Sequence, residues 1–279
     1  MIINHNLSGN TALSYLNKNQ KSASASMEKL SSGLRINKAA DDAAGLSISQ
    51  KMQSQINGLD KAQSNAQDGI SLIQTAEGGL NETQSILQRM NELATQAAND
   101  TNVSLNRSAV SAEMSTLADE INHISQQTNF NGVNLLSADT SVANTLTFQI
   151  GSTSNAYDSI GLNINSIAMN ATSLSVDTSS LSVSNNAQAT GSMSIIQKAI
   201  DTVSTSRAYL GAVQNRLTHT INNLSTEQEN LTTANANITD VDMAKEMMNY
   251  SKESVLQQAA QSMLAQANQN PQQVLKLLQ

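Results

Sequence analysis

Side chains able to do covalent or metal chemistry are few in this chain of 279 residues, and they do not converge. His5, His123 and His219 are its only histidines. None has a serine or carboxylate at the spacing of a nucleophile-base pair, and none stands in an H-E-x-x-H zinc motif. Cysteine is absent, which removes thiolate catalysis, disulfides and zinc-thiolate sites together. The glycines of "GISLIQTAEGG", residues 69–79, are wrongly spaced for a phosphate loop and fall inside an apolar repeat. The expectation is a protein that is not an enzyme, with no catalytic, cofactor or metal site.

Charge and hydropathy narrow the classes further. The formal charge is −7 with a pI near 4.9, and no run of Lys or Arg could track a phosphate backbone, so nucleic acid is not expected as a partner. The apolar runs are a few residues long, against the ~20 needed to span a bilayer, and no membrane span is expected. "MIINHNLSGN" has neither a basic start nor an apolar h-region, so a cleaved signal is not expected either. Phe130 and Phe148 are the only phenylalanines and tryptophan is missing. Alanine, leucine, isoleucine and methionine must therefore do the packing, which favours narrow helix-to-helix seams over one thick core. The single proline, Pro271, leaves almost the whole chain free to form long helices.

The elements follow from the apolar stepping. Leu13, Leu16, Ala23, Met27, Leu30 and Leu34 keep to a heptad seam that stops at "SSGLRINKAADDAAGLSIS", residues 31–49. Met52, Ile56, Leu59, Ala66, Ile70, Ile73, Leu80 and Leu87 resume it in a longer helix. Gly58, Gly69, Gly78 and Gly79 lie inside that helix at ~1 kcal/mol each, so tertiary packing has to hold it. After a turn at "AANDTNVS" a third helix carries Val110, Met114, Leu117, Ile121 and Ile124, closed by an Asn-Gly turn at Asn131-Gly132.

Residues 137–192 change character: charges are scarce, Ser, Thr and Asn dominate, and the composition suggests an exposed segment. Period two puts Leu146, Phe148 and Ile150 on one face, and Ile160, Leu162 and Ile164 likewise, which predicts a β-hairpin. "SLSVDTSSLSVS" alternates too and is open between strand and loop. Helical stepping returns from Ile196 to Leu231, and a last amphipathic stretch carries Met248, Val255, Leu256, Met263 and Leu264. The expected fold is mainly α. Long heptad-patterned helices form an antiparallel bundle with a small β-hairpin region, and the two chain ends form a coiled-coil pair.

A helix with one apolar stripe cannot bury it alone. Two terminal helices of ~35 residues, rich in Ser and Gln, remove little apolar area at ~25 cal/mol per Å² against more than ~1 kcal/mol per ordered residue. Such a pair gains order when neighbouring copies surround it, which predicts a polymer whose inner layer comes from both chain ends. Leu13, Leu16, Met27, Leu30, Leu34, Val255, Leu256, Met263 and Leu264 would pack that layer. The break at 31–49 is then either a hinged spoke whose Arg35, Lys38, Asp41 and Asp42 pair with neighbouring subunits, or an ordinary capped turn with solvated charges.

"MIINHN", "MEKLSSGLRINKAADDAAGLSIS", "DGISLIQTAEGGLNE", "LQRMNELATQAAN", "TNFNG", "LGAVQNRL", "ITDVDMAKEM" and "MLAQANQNPQQVLKLL" resemble the terminal signatures of bacterial flagellin. The resemblance covers roughly residues 1–136 and 193–279 and implies a compact form lacking large outer domains. It implies residues 1–40 and 239–279 as the two parts of an inner coiled-coil domain, and 41–238 as a helical bundle with its β region at about 137–192. It further implies a filament subunit for swimming motility, exported by the flagellar type III pathway, added beneath a filament cap next to hook-filament junction proteins, and located outside the cell. Gln88, Arg89, Glu92, Leu93 and Glu113 are implied to face the neighbouring subunit and to form the surface read by the flagellin-sensing Toll-like receptor. The segment with Met248, Val255, Leu256 and Met263 is implied to bind the flagellar export chaperone, a role suited to an amphipathic, methionine-bearing helix. A hook-filament junction protein and a cytoplasmic coiled-coil scaffold are the alternatives; a secreted adhesin would need a larger exposed domain.

Overall fold

The structure is a computed structural model that describes residues 6–137, 145–153 and 155–278. It contains five α-helices: α1 (Leu7–Ser32), α2 (Ala43–Ala97), α3 (Ser104–Gln127), α4 (Asn186–Thr239) and α5 (Met243–Leu278). Four strands form two small antiparallel pairs, β1 (Asn129–Phe130) with β2 (Val133–Asn134), and β3 (Thr145–Gln149) with β4 (Ser159–Asn163). The chain divides into an end unit, Met1–Ile56 with Glu229–Gln279, and a central unit, Asn57–Gln228.

In the central unit α2 and α4 run antiparallel. Gln63 Nε2 donates to Gln228 Oε1 (3.1 Å), and Arg207 Nη1 donates to Gln84 Oε1 (2.5 Å). Their apolar stripes meet α3 in one core that includes Leu80, Leu87, Met90, Ile121, Ile196 and Leu210. The predicted hairpin forms with Leu146 opposite Leu162 and Phe148 opposite Ile160, and its apolar face closes the side of this core. Two of the mid-helix glycines have a packing reason. A Cβ on Gly69 would stand 3.2 Å from the Phe148 ring, and one on Gly79 would stand 2.7 Å from Leu136 Cδ1 and 2.8 Å from Thr128 Oγ1. Glycine lets the hairpin and the β1-β2 turn lie directly on α2. Asn131 and Gly132 supply that turn, with φ of 51° and 80°.

The stretch after β4 departs from the expectation of an exposed segment. Ile164, Ile167, Met169, Ala171, Leu174, Val176 and Val183 are buried and complete the core, although residues 168–185 form no strand. Asn and Asp side chains shape its turns: Asn170 Oδ1 accepts from Ser173 N (2.6 Å), and Asp177 Oδ1 accepts from Ser180 N (3.0 Å). The polar residues there are turn-formers, and the isolated apolar ones point inward.

In the end unit α1 packs antiparallel on α5. The break after α1 is closed within the chain. Gly33, at φ 73°, ends α1 by donating its N–H to Lys29 O (2.9 Å). Leu34 then bridges Asp240, where Arg35 N donates to Thr239 O (2.6 Å) and Val241 N donates to Gly33 O (3.0 Å). Asp42 Oδ1 accepts from Gly45 N (2.9 Å) and starts α2, while Asp41 Oδ2 accepts from Asn37 N (3.1 Å) and Lys38 N (3.0 Å). Lys38 pairs with Glu28 at 2.7 Å, and Arg35 Nη2 donates to Ile238 O. Of the two sequence alternatives for these four residues, the structure has each of them bonded inside its own chain.

Candidate assembly surface

The heptad seam of α1 is used on one side only. Leu16, Ala23 and Leu30, one repeat apart, are buried or half-buried toward α5, whereas Leu13 and Met27, at the alternate position, are exposed, as is Leu34 just past the end of the helix. A helix pair needs one such row to meet its partner and leaves the other free for a further helix.

The α5 face is arranged in the same sense. Glu246, Tyr250, Glu253, Gln257, Ala260, Leu264 and Ala267, all half-buried or buried, step by three and four along α1, with Ser254 half-buried beside Glu253. That seam is thin and largely polar. Several larger apolar side chains point away from it: Met248 is 66% exposed, Val255 64%, Met263 64%, and Leu256 is exposed as well. Of the nine residues expected to pack an inner layer, Leu16, Leu30 and Leu264 are therefore half-buried in the α1-α5 seam. The other six stand open on the single chain.

Polar groups set the register of this pair. Asn6 Oδ1 accepts from Gly9 N (2.9 Å), capping α1, while Asn6 Nδ2 donates to Ala267 O (2.9 Å) on α5. At the other end of the pair, Glu246 lies against Ser26. The Ser26 hydroxyl, with smaller help from Asn249, Lys29 and Lys245, holds the Glu246 carboxyl below the usual glutamate range. Sequence reasoning missed both contacts. Asn6 before "LSG" carried an N-cap signal, but nothing local marks its second bond to a residue 261 positions away.

In the central unit, Arg89 gathers two of its expected companions. Its Nε and Nη2 both donate to Glu113 Oε1 (3.1 and 2.9 Å), and its Nη1 donates to Glu92 Oε2 (3.1 Å). Glu113 first, then Glu92, raises the guanidinium pKa further above its ordinary value. Gln88, Arg89, Glu92 and Glu113 are exposed on adjoining turns of α2 and α3. Leu93 differs from the expectation: at 2% exposure it belongs to the core beneath them and has no surface to offer a partner.

The remaining chemistry-bearing residues stay dispersed. His123 stands 3.7 Å from Glu120 on one face of α3, His219 is exposed on α4, and His5 lies outside the described residues. Among the described residues no three His, Cys, Asp or Glu side chains group as metal ligands would. A cleft of about 540 Å³ between α3 and residues 176–184 is lined by serines 104, 108, 111 and 115 over Met114 and Val176. No helix among the described residues is long and apolar enough to cross a membrane.

Comparison with known proteins gives this geometry its context. Residues 3–141 match the bacterial flagellin N-terminal helical region, and residues 193–278 match the bacterial flagellin C-terminal helical region. The chain is 49% identical over 278 residues to a flagellin of Halalkalibacterium halodurans, covering 100% of both chains. It is 48% identical over 303 residues to a flagellin of Bacillus subtilis, again covering 100% of both. The crystal structure of Bacillus cereus flagellin superposes with a TM-score of 0.50 at 34% identity, covering 62% of this chain and 94% of that one. With both terminal regions matched in order and the identity running the full length, this chain belongs to the bacterial flagellin family.

Proposed function

We propose that this chain, a structural filament subunit of the flagellin family, polymerises by laying the outward row of α1 and the outward apolar face of α5 against neighbouring copies. One observation carries the reading. Among the described residues, Leu7, Leu13 and Met27 on α1 and Met247, Met248, Val255, Leu256 and Met263 on α5 are exposed on a pair whose own seam is thin. Apolar surface left open along much of two helices is what an assembly interface requires. The charge distribution suits it. The end unit carries nine basic and eight acidic side chains, and the central unit six and fourteen. Copies of the near-neutral end unit can crowd together, while salt screens the repulsion between central units.

In this reading residues 1–40 and 239–279 act as the coiled-coil domain and 41–238 as the bundle domain. The exposed Gln88, Arg89, Glu92 and Glu113 meet a neighbouring subunit or the flagellin-sensing receptor, with Leu93 supporting them from below. The open methionine face of α5 suits an export chaperone's groove before assembly, and the filament outside the cell, reached by the flagellar export pathway and built beneath its cap next to the junction proteins, covers it afterwards.

The test replaces Met27 or Met263 with glutamate. Because both side chains are exposed, the monomer should keep its helicity and thermal midpoint, and electron microscopy should show no filaments under conditions where the unaltered protein forms them. Filaments of normal length from Met27→Glu and Met263→Glu would refute the assignment of these faces.

A further inference from the structure

The sequence contains the Asn-Gly dipeptide twice, at Asn57-Gly58 and at Asn131-Gly132, and the fold gives the two opposite surroundings. Asn57-Gly58 lies well inside α2, where the helical ladder engages the Gly58 amide and fixes the backbone between the two residues. Gly58 is also half-buried beneath the β3-β4 hairpin: a Cβ there would stand 2.7 Å from Ser152 Cβ. Asn131 and Gly132 are both exposed, at the tip of a ladder only two residues long, and a Cβ added at Gly132 would meet nothing within 4 Å. So short a ladder opens at low free energy, and each opening frees the Asn131 backbone to rotate.

We propose that Asn131 is a site of spontaneous modification in the folded protein, and that Asn57 is not. In the reaction the Gly132 backbone nitrogen loses its proton and bonds to Asn131 Cγ. The side-chain amide leaves as ammonia, and water then opens the succinimide at either carbonyl to leave aspartate or isoaspartate. The structure favours this at Gly132 because both residues are exposed and the space beside the glycine is open. Either product adds a negative charge to a unit already acidic. Isoaspartate also lengthens the backbone by one atom within the turn, which breaks the Phe130-Val133 pairing and loosens Leu135 and Leu136, the buried residues next to it. Conversion therefore accumulates with the age of the molecule at one defined place.

The experiment incubates the purified full chain in dilute, mildly alkaline buffer at physiological temperature, and a second sample in denaturant. Peptide mass mapping then follows the Asn-to-Asp mass gain and the isoaspartyl isomer at both dipeptides. The folded chain should convert at Asn131 at least about tenfold faster than at Asn57, and the denatured chain should convert both at similar rates. Equal rates in the folded chain, or an Asn131 that reacts only in denaturant, would overturn the proposal.

Discussion

The twelve largest fully buried side chains among the described residues, from Ile73 to Leu210, all lie in the central unit, whereas twelve of the fifteen exposed large apolar residues lie in the end unit. Both units are antiparallel helix pairs in their skeleton. They differ in what covers the pair. α2 and α4 are joined by α3, the hairpin and the turn-rich stretch after β4, so their inward apolar residues find partners in the same chain. In the pair α1-α5, among the described residues, the outward row of each helix stays uncovered. A helical pair of this kind is finished by association or remains loosely held.

The largest break in this comparison comes from the core. Leu87→Ala, at a fully buried position, should cost the central unit ~2–5 kcal/mol. Met263→Ala, on an exposed face, should change monomer stability by no more than ~0.5 kcal/mol. Thermal or denaturant unfolding of the two variants checks both. Neighbouring glycines sharpen it next. Gly79→Ala forces a methyl against Leu136 and Thr128 and should destabilise by ~1–3 kcal/mol, whereas Gly78→Ala, which meets nothing within 4 Å, should stabilise by up to ~1 kcal/mol.

Smaller effects belong to the end unit. Asn6→Ala removes the α1 cap and the bond to Ala267, at ~0.5–2 kcal/mol, and should show as faster amide exchange at the start of α1 and around Ala267 together. Acid should act in the same place. The Glu246 carboxyl is held below the glutamate range, so its contribution is present at neutral pH and is lost as pH falls through that lowered value. The α1-α5 pair should loosen on acidification below the usual glutamate range, and Glu246→Gln should flatten that part of the pH profile of its amide exchange.

The sequence made the central unit the more readable of the two. Heptads placed α2, α3 and α4, period two placed β3 and β4 in the observed face alternation, and Asn131-Gly132 marked its turn. The buried stretch after β4 was illegible because its apolar residues, such as Met169, Leu174 and Val183, have no common period and sit among turn-forming serines and asparagines. In the end unit the apolar residues themselves were readable, but not which of them face outward. Leu13 and Leu16 are the same residue type in one stripe, and only the approach of α5 along Leu16, Ala23 and Leu30 separates them. Leu93 illustrates the reverse: a leucine beside exposed charges belongs to the core because α2 turns that face inward.

Amide hydrogen exchange, mapped along the chain in dilute monomer and again in the polymer, tests the contrast most directly. The monomer should exchange within α1 and α5 far faster than within α2, α3 and α4 between Leu59 and Leu224, and polymerisation should slow α1 and α5 while leaving the central helices unchanged. If α1 and α5 are already as protected as the central helices in the solitary chain, the end unit is complete by itself, and assembly through its open rows is wrong.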